Sequence, residues 1–253
     1  MTQPPVLFGR KEDEVLRHRR RDVLKAAAAW TALGGYTGAM AQQRGNIVDL
    51  RGDALVNGAR LRADQTIVSG DQLETGPNAS LIFVIGNSSF QVRPNTRMAV
   101  ERGPSINAIS VLRLITGAVA SVWGKGLSRQ VVTPTLTAGI RGTGVYTEVF
   151  ADQNNRGYFC NCYGTVDMSA GDDRTVSQAS YHQSFWGEVA PVNGRMLTPA
   201  PAINHVDEEI EFLAGLISEQ TAWQILGRRG VKDGMGYMET QPGQVHPAMM
   251  IGR

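Results

Sequence analysis

Two cysteines and three of the four histidines hold most of the chemical potential in this 253-residue chain. Cys160 and Cys162 flank one asparagine in the run YFCNCYG (158–164), which reads as a strand. Residues i and i+2 of a strand share a face, with Cα atoms about 6.6 Å apart at about 3.3 Å per residue. That separation is near the upper limit for a disulfide. It suits two thiolates on one metal ion, because Zn–S bonds of about 2.3 Å span it easily. His205 sits at an expected helix start, with Asn204 as N-cap and Asp207 returning a capping bond. The positive end of the helix dipole disfavours imidazolium there, leaving the neutral ring that ligates metals. His182 lies in Tyr181-His182-Gln183, after a polar stretch. Cys160, Cys162, His182 and His205 therefore form a candidate Cys2His2 site for one Zn, Cu or Fe ion, pinning the C-terminal segment to the body of the protein. Two other readings stay open at this point. The cysteines could be bridged to each other or act as a redox pair in an oxidising compartment, or they could be small buried residues. His182 would then be a surface residue and His205 a capped helix start.

Other chemistry is sparse. His246, Met249 and Met250 offer soft ligands of the kind Cu(I) takes, although methionine near a terminus is ordinary. Arg141-Gly142-Thr143 reads as a bend, with Arg141 capping carbonyls rather than binding a ligand. Glu208 and Glu209 are adjacent on the expected helix and read as a solvated face. The chain has no G-x-S-x-G elbow, phosphate loop or H-E-x-x-H motif, and no convincing carboxylate pair. A binding or structural module, not an enzyme, is the expectation.

The elements that must position these residues are short strands. From Ile47 to about Met168, apolar runs alternate with Gly, Asn, Asp and Pro clusters. Expected strands include 81–85, 90–92, 111–115, 118–123, 130–133, 144–150, 158–163 and 165–168, with Pro134 closing an edge strand. The fold class is mainly β, a β-sandwich or a short β-solenoid or roll, with one C-terminal α-helix over 204–226 from its helical spacing. Residues 171–203 read as a β/loop extension whose Pro-rich part, PVNGRMLTPAP (191–201), is a linker. Residues 227–253 lack periodicity and read as a mobile tail.

Composition narrows the class. Hydrophobic residues make up 42%, enough for a core, and a formal charge of +2 is too mild to argue for nucleic acid. No run reaches the ~18 apolar residues that span a membrane. Residues 1–24 are polar and end in an arginine cluster; a mildly apolar stretch of 16 residues (26–41) follows, closing on Ala39-Met40-Ala41. That is the plan of an export leader with cleavage after Ala41. Seven of the 25 basic and four of the 23 acidic residues lie in 1–41, so the remaining 212 residues carry a net charge of −1.

Arg20-Arg21-Asp22-Val23-Leu24-Lys25 resembles the twin-arginine leader, departing only in having Val where Phe is commoner. That route resembles one used for proteins that fold before export, often with a cofactor. The body resembles a FecR-type domain, a module of bacterial extracytoplasmic proteins. The resemblance rests on VNGARL (56–61), SGDQLETG (69–76), RPNTRMAV (93–100), LITGAV (114–119) and VVTPTLTAGIRGTGVYTEV (131–149). IGNSS (85–89) stands where the family commonly has Asp-Gly-Ser. The implied division is a FecR-like β domain over 42–170 in a periplasmic protein with no integral membrane span. Its implied partner is another extracytoplasmic protein or envelope component. A second implication is a FecR-type regulator of a sigma-factor system. Such regulators carry a cytoplasmic helical domain and a spanning helix, whereas only about two dozen polar residues precede the leader here. A thiol redox protein using Cys160 and Cys162 is a third.

Overall fold

The computed structural model describes residues 5–15, 45–126 and 128–236. The Arg20–Arg21 pair, the apolar stretch, the Ala39–Met40–Ala41 site and the His246, Met249 and Met250 ligands lie outside the described residues. The chain is mainly β. Its first strands are β1 (Ile47–Arg51), β2 (Ala54–Val56), β3 (Ala59–Arg60), β4 (Gln72–Thr75), β5 (Ser80–Ile85), β6 (Ser88–Val92) and β7 (Arg97–Arg102). These are followed by β8 (Ile109–Trp123), β9 (Arg129–Val132), β10 (Thr137–Phe150), β11 (Arg156–Ala170), β12 (Asp173–Ala179), β13 (Gln183–Val192) and β14 (Arg195–Ala200). The described helices are α1 (Glu12–Val15), α2 (Asp207–Leu216) and α3 (Ala222–Leu226), with one 3-10 turn at Ala151–Gln153. None is long and apolar enough to cross a membrane.

All 14 strands join one sheet, antiparallel except for the β8–β9 pair. The long strands β8, β10 and β11 change neighbours partway along. β8 pairs with β7 up to Thr116, then with β10 and β6. β11 pairs with β13 over 157–161, then with β12 from Gly164. Two of these switches fall at glycines in the left-handed region, Gly117 (φ 79°) and Gly164 (φ 104°), where an L side chain would be strained. The sheet thereby bends over itself, and its two faces bury different cores. β5 illustrates the sorting. Leu81, Phe83 and Ile85 enter the larger core with Leu73, Val100, Leu114 and Val119. Ile82 and Val84 point the other way, into a second core with Ala120, Ile210 and Leu213 under α2. The period of two divides β11 likewise: Phe159 goes to the inner core, and Tyr158, Cys160 and Cys162 go to the helix side.

Several local expectations are corrected. Residues 158–163 and 165–168 are one strand, β11, because Gly164 bends it without ending it. Residues 191–201 are no linker; they complete β13 and form β14, joined by the two-residue turn Asn193-Gly194. Both turn residues have positive φ, 50° and 78°, the type I′ geometry that matches strand twist. The helical segment 204–226 is two helices broken at 217–221. Val206 is the N-cap of α2, and Glu209 returns a bond to its N–H at 3.1 Å. Asn204 instead stands at φ 59°, two residues earlier, with its side chain turned away from the helix. Glu209 is not solvated: it is fully buried and paired with Arg93 at 2.8 Å. Among the described residues Arg141 caps no carbonyl; it forms an exposed cross-strand pair with Asp167 at 2.7 Å. The tail is held as far as Gly236: Gly234 O accepts from Ser184 N at 2.9 Å, and Gly236 O from Ser180 N at 3.1 Å.

Candidate metal centre

The four ligand candidates come from three stretches of chain. Cys160 and Cys162 are placed on one face of β11 by strand alternation. Register places His182: Asn161 pairs with Gln183, so His182 lies opposite Cys162 and donates its backbone N–H to the Cys162 carbonyl at 2.9 Å. The turn into β13 holds His182 at φ 41°. His205 arrives on the short link between β14 and α2, just before the helix N-cap.

All four side chains are fully buried, and their ligand atoms lie within 4.8 Å of one another. The two sulfurs are 3.8 Å apart. Cys160 Sγ is 3.6 Å from His182 Nδ1, and Cys162 Sγ is 3.5 Å from His205 Nε2. The facing nitrogens, His205 Nε2 and His182 Nδ1, are 3.0 Å apart. A tetrahedral ion with Zn–S bonds of about 2.3 Å and Zn–N bonds of about 2.05 Å sets S–S, S–N and N–N edges of about 3.8, 3.6 and 3.3 Å. Four of the six edges follow that pattern, the N–N edge being 0.3 Å shorter, while the widest separation in the cluster reaches 4.8 Å.

A second layer fixes which ring nitrogens face inward. His182 Nε2 is 3.0 Å from Asp207 Oδ1, and His205 Nδ1 is 2.6 Å from the Ile203 carbonyl oxygen. Burial pushes the Asp207 carboxyl up. The His182 N–H, Lys232 and the Tyr181 hydroxyl outweigh it and hold the group well below the usual carboxylate range. Asp207 is thus an acceptor, as is a carbonyl. A neutral ring that donates its outer N–H to these acceptors presents its other nitrogen, His182 Nδ1 or His205 Nε2, to the cluster. Burial also pushes His205 below its ordinary value, keeping the ring neutral. Burial, rather than the helix dipole, is the dominant cause.

The thiols respond as a pair. Burial pushes Cys160 up, but the Cys162 hydrogen bond and the two histidines carry it well below the ordinary thiol range. Burial and the adjacent Cys160 push Cys162 well above that range. The walls are aromatic: Tyr146 stacks on His205 at 4.8 Å, and Trp223 stacks on His182 at 5.3 Å. Lys232 bonds the His205 carbonyl at 2.7 Å and approaches Asp207 at 3.3 Å.

The structure thus brings together all four residues singled out by their chemistry. The two cysteines stand as free thiols. Sequence reasoning missed the supporting residues Asp207, Tyr146, Trp223 and Lys232. Asp207 was legible only as a helix cap, and nothing in the local pattern marks the other three.

No protein-family model matches the chain, and no curated protein matches it. Two solved structures of a putative anti-sigma factor from Parabacteroides distasonis ATCC 8503, at 1.65 and 2.50 Å resolution, are similar to it. They share 9% and 10% identity with it, each with a TM-score of 0.42, over 52% and 54% of this chain and 60% and 62% of theirs. The chain therefore spans less than two thirds of the length of those structures.

Proposed function

We propose that this protein is a non-enzymatic, extracytoplasmic FecR-like module that holds one zinc ion through Cys160, Cys162, His182 and His205. One observation carries the metal: the ligand atoms of Cys160, Cys162, His182 and His205 converge within 4.8 Å of one another in a fully buried cluster. Zinc suits the set, because two thiolates neutralise a divalent ion in a dry pocket and mixed S/N tetrahedra are its usual structural geometry. Four protein ligands leave no open position, so the ion would supply folding energy, not reactivity. It would tie β11 to the segment entering α2. The redox reading is disfavoured because both sulfurs are fully buried, out of reach of an exchanging thiol.

Export rests on the twin-arginine resemblance, and the partner class on the FecR resemblance. Elemental analysis of untagged protein purified without added metal tests the centre. One zinc per chain is expected, lost in Cys162→Ser. Metal-free protein whose melting is unchanged by that substitution would overturn it. N-terminal sequencing of the cell-envelope fraction tests the setting. A start at Gln42 supports export with removal of the leader, whereas an intact N-terminus in the inner membrane favours the sigma-factor regulator.

A further inference from the structure

Residues 5–15 run along the helix-side face of the domain and contact its most polar buried groups. The Asn204 side chain clamps one residue of this strap by its backbone: Phe8 N donates to Asn204 Oδ1 at 2.7 Å, and Asn204 Nδ2 donates to Phe8 O at 2.7 Å. Asn204 N donates to Val6 O at 2.9 Å, and Val6 bridges Ile203 in parallel. The Phe8 ring meets Phe150 edge-on at 5.4 Å and Trp186 at 5.6 Å. Gly9 turns at φ 69°, and Arg10 reaches back to Glu148 at 2.6 Å. Glu148 is itself buried, and its other oxygen accepts from Tyr146 and Asn204 at 2.8 and 2.9 Å. Arg93 donates to the Glu14 carbonyl, and Val15 is fully buried.

The strap is held as a ligand is held, not as a strand of the sheet. Its main chain has one isolated bridge and one amide clamp, and specificity comes from an aromatic slot and a buried carboxylate. This is recognition of an extended peptide by backbone bonds plus alternate side-chain pockets. Without an occupant, the Glu148 carboxylate would be left buried and without its guanidinium, which is costly. Val6, Leu7 and Phe8 are each 38–49% exposed, so the strap covers the cleft while remaining open to displacement.

We propose that this cleft is a peptide-binding site and that residues 5–15 are its intramolecular ligand. The strap excludes a partner of the same chemistry, an extended segment with an aromatic residue, then glycine, then arginine. A tethered ligand competes at an effective concentration on the order of millimolar, so partner binding would follow release or removal of the strap. The cleft uses none of the four metal ligands themselves, but Asn204 adjoins His205 and Tyr146 stacks on that ring at 4.8 Å, so the test keeps any bound metal in place.

The test uses the full chain and a fluorescent synthetic peptide with the sequence of residues 4–15. Phe8→Ala/Arg10→Ala in the chain should free the cleft, and the peptide should then bind at least tenfold more tightly than to the wild-type chain. Adding Glu148→Gln, or using an Arg10→Ala peptide, should abolish that gain. No gain over wild type in a folded variant, or a gain that survives Glu148→Gln, would overturn the proposal. Should the double variant fail to fold, a chain with a protease sequence inserted after Ala41 is folded and then cut. Binding of the labelled peptide after cutting sustains the site, and its failure to bind rejects it.

Discussion

The two cores on opposite faces of the sheet are built from different physics. The inner one is dominated by apolar side chains, with Phe83 stacked on Phe90 at 4.9 Å and Trp123 closing on Phe90 at 5.0 Å, and its few buried polar groups, such as Ser121 and Arg129, lie against Trp123. Non-directional burial holds it, and any well-fitting set of apolar side chains would do. The helix-side core mixes Ile210, Leu213 and Trp223 with buried His182, His205, Glu209, Arg93 and Glu148. Those groups are tolerable only when each finds its partner. The difference separates a scaffold from a site. The inner core should fail gradually under truncation, the outer one sharply when one partner is lost.

Removing the metal should part the two most. Structural zinc contributes roughly 10–16 kcal/mol to the folding of small metal-dependent units. Chelation, or His205→Ala, should strip amide exchange protection from 182–187 and 203–216 while β4, β7 and the first half of β8 keep theirs. Hydrogen-exchange mass spectrometry reads this, and uniform loss across both faces would erase the distinction. Phe83→Ala is the converse case. It should cost about 3–5 kcal/mol by the usual price of emptying an aromatic core site, with zinc stoichiometry unchanged in elemental analysis. Loss of the metal would show that the cores are not separable.

Asp207→Asn sharpens the comparison within the outer core. The amide is close in shape but no longer charged toward His182 and Lys232, so metal affinity should fall by about 10–100-fold. Competition with a chromogenic chelator measures this, and unchanged affinity would make Asp207 a mere helix residue. The smallest effect belongs to the exposed pair on the far side of the bend. Arg141→Ala should change stability by no more than about 1 kcal/mol in denaturant titration, because both partners are solvated.

How legible these features were depended on their range. Strand alternation made Cys160 and Cys162 readable as a same-face pair, because a period of two is local. Pro-rich 191–201 read as a linker because three prolines outweighed the Asn193-Gly194 signal. The tertiary pairing of β13 with β11 overrides that local reading. Glu208 and Glu209 read as a solvated face because they are adjacent on the helix and no local residue pairs with them. Only the approach of Arg93, 116 residues earlier, makes Glu209 a buried counter-ion. The tail beyond Gly227 read as mobile because nothing within it shows that Lys232 reaches His205 and Asp207.

The sequence by itself determined a β-rich body, a C-terminal helical segment and the four residues able to hold a metal. Each follows from residue type and short-range periodicity. Only the tertiary structure decided that those four meet, that their outer nitrogens are spoken for and that the N-terminal strap lies beside them. Those facts depend on register between strands and on contacts spanning up to 196 residues, Phe8 to Asn204. No local pattern encodes such contacts, because the free energy that selects them belongs to the packed whole.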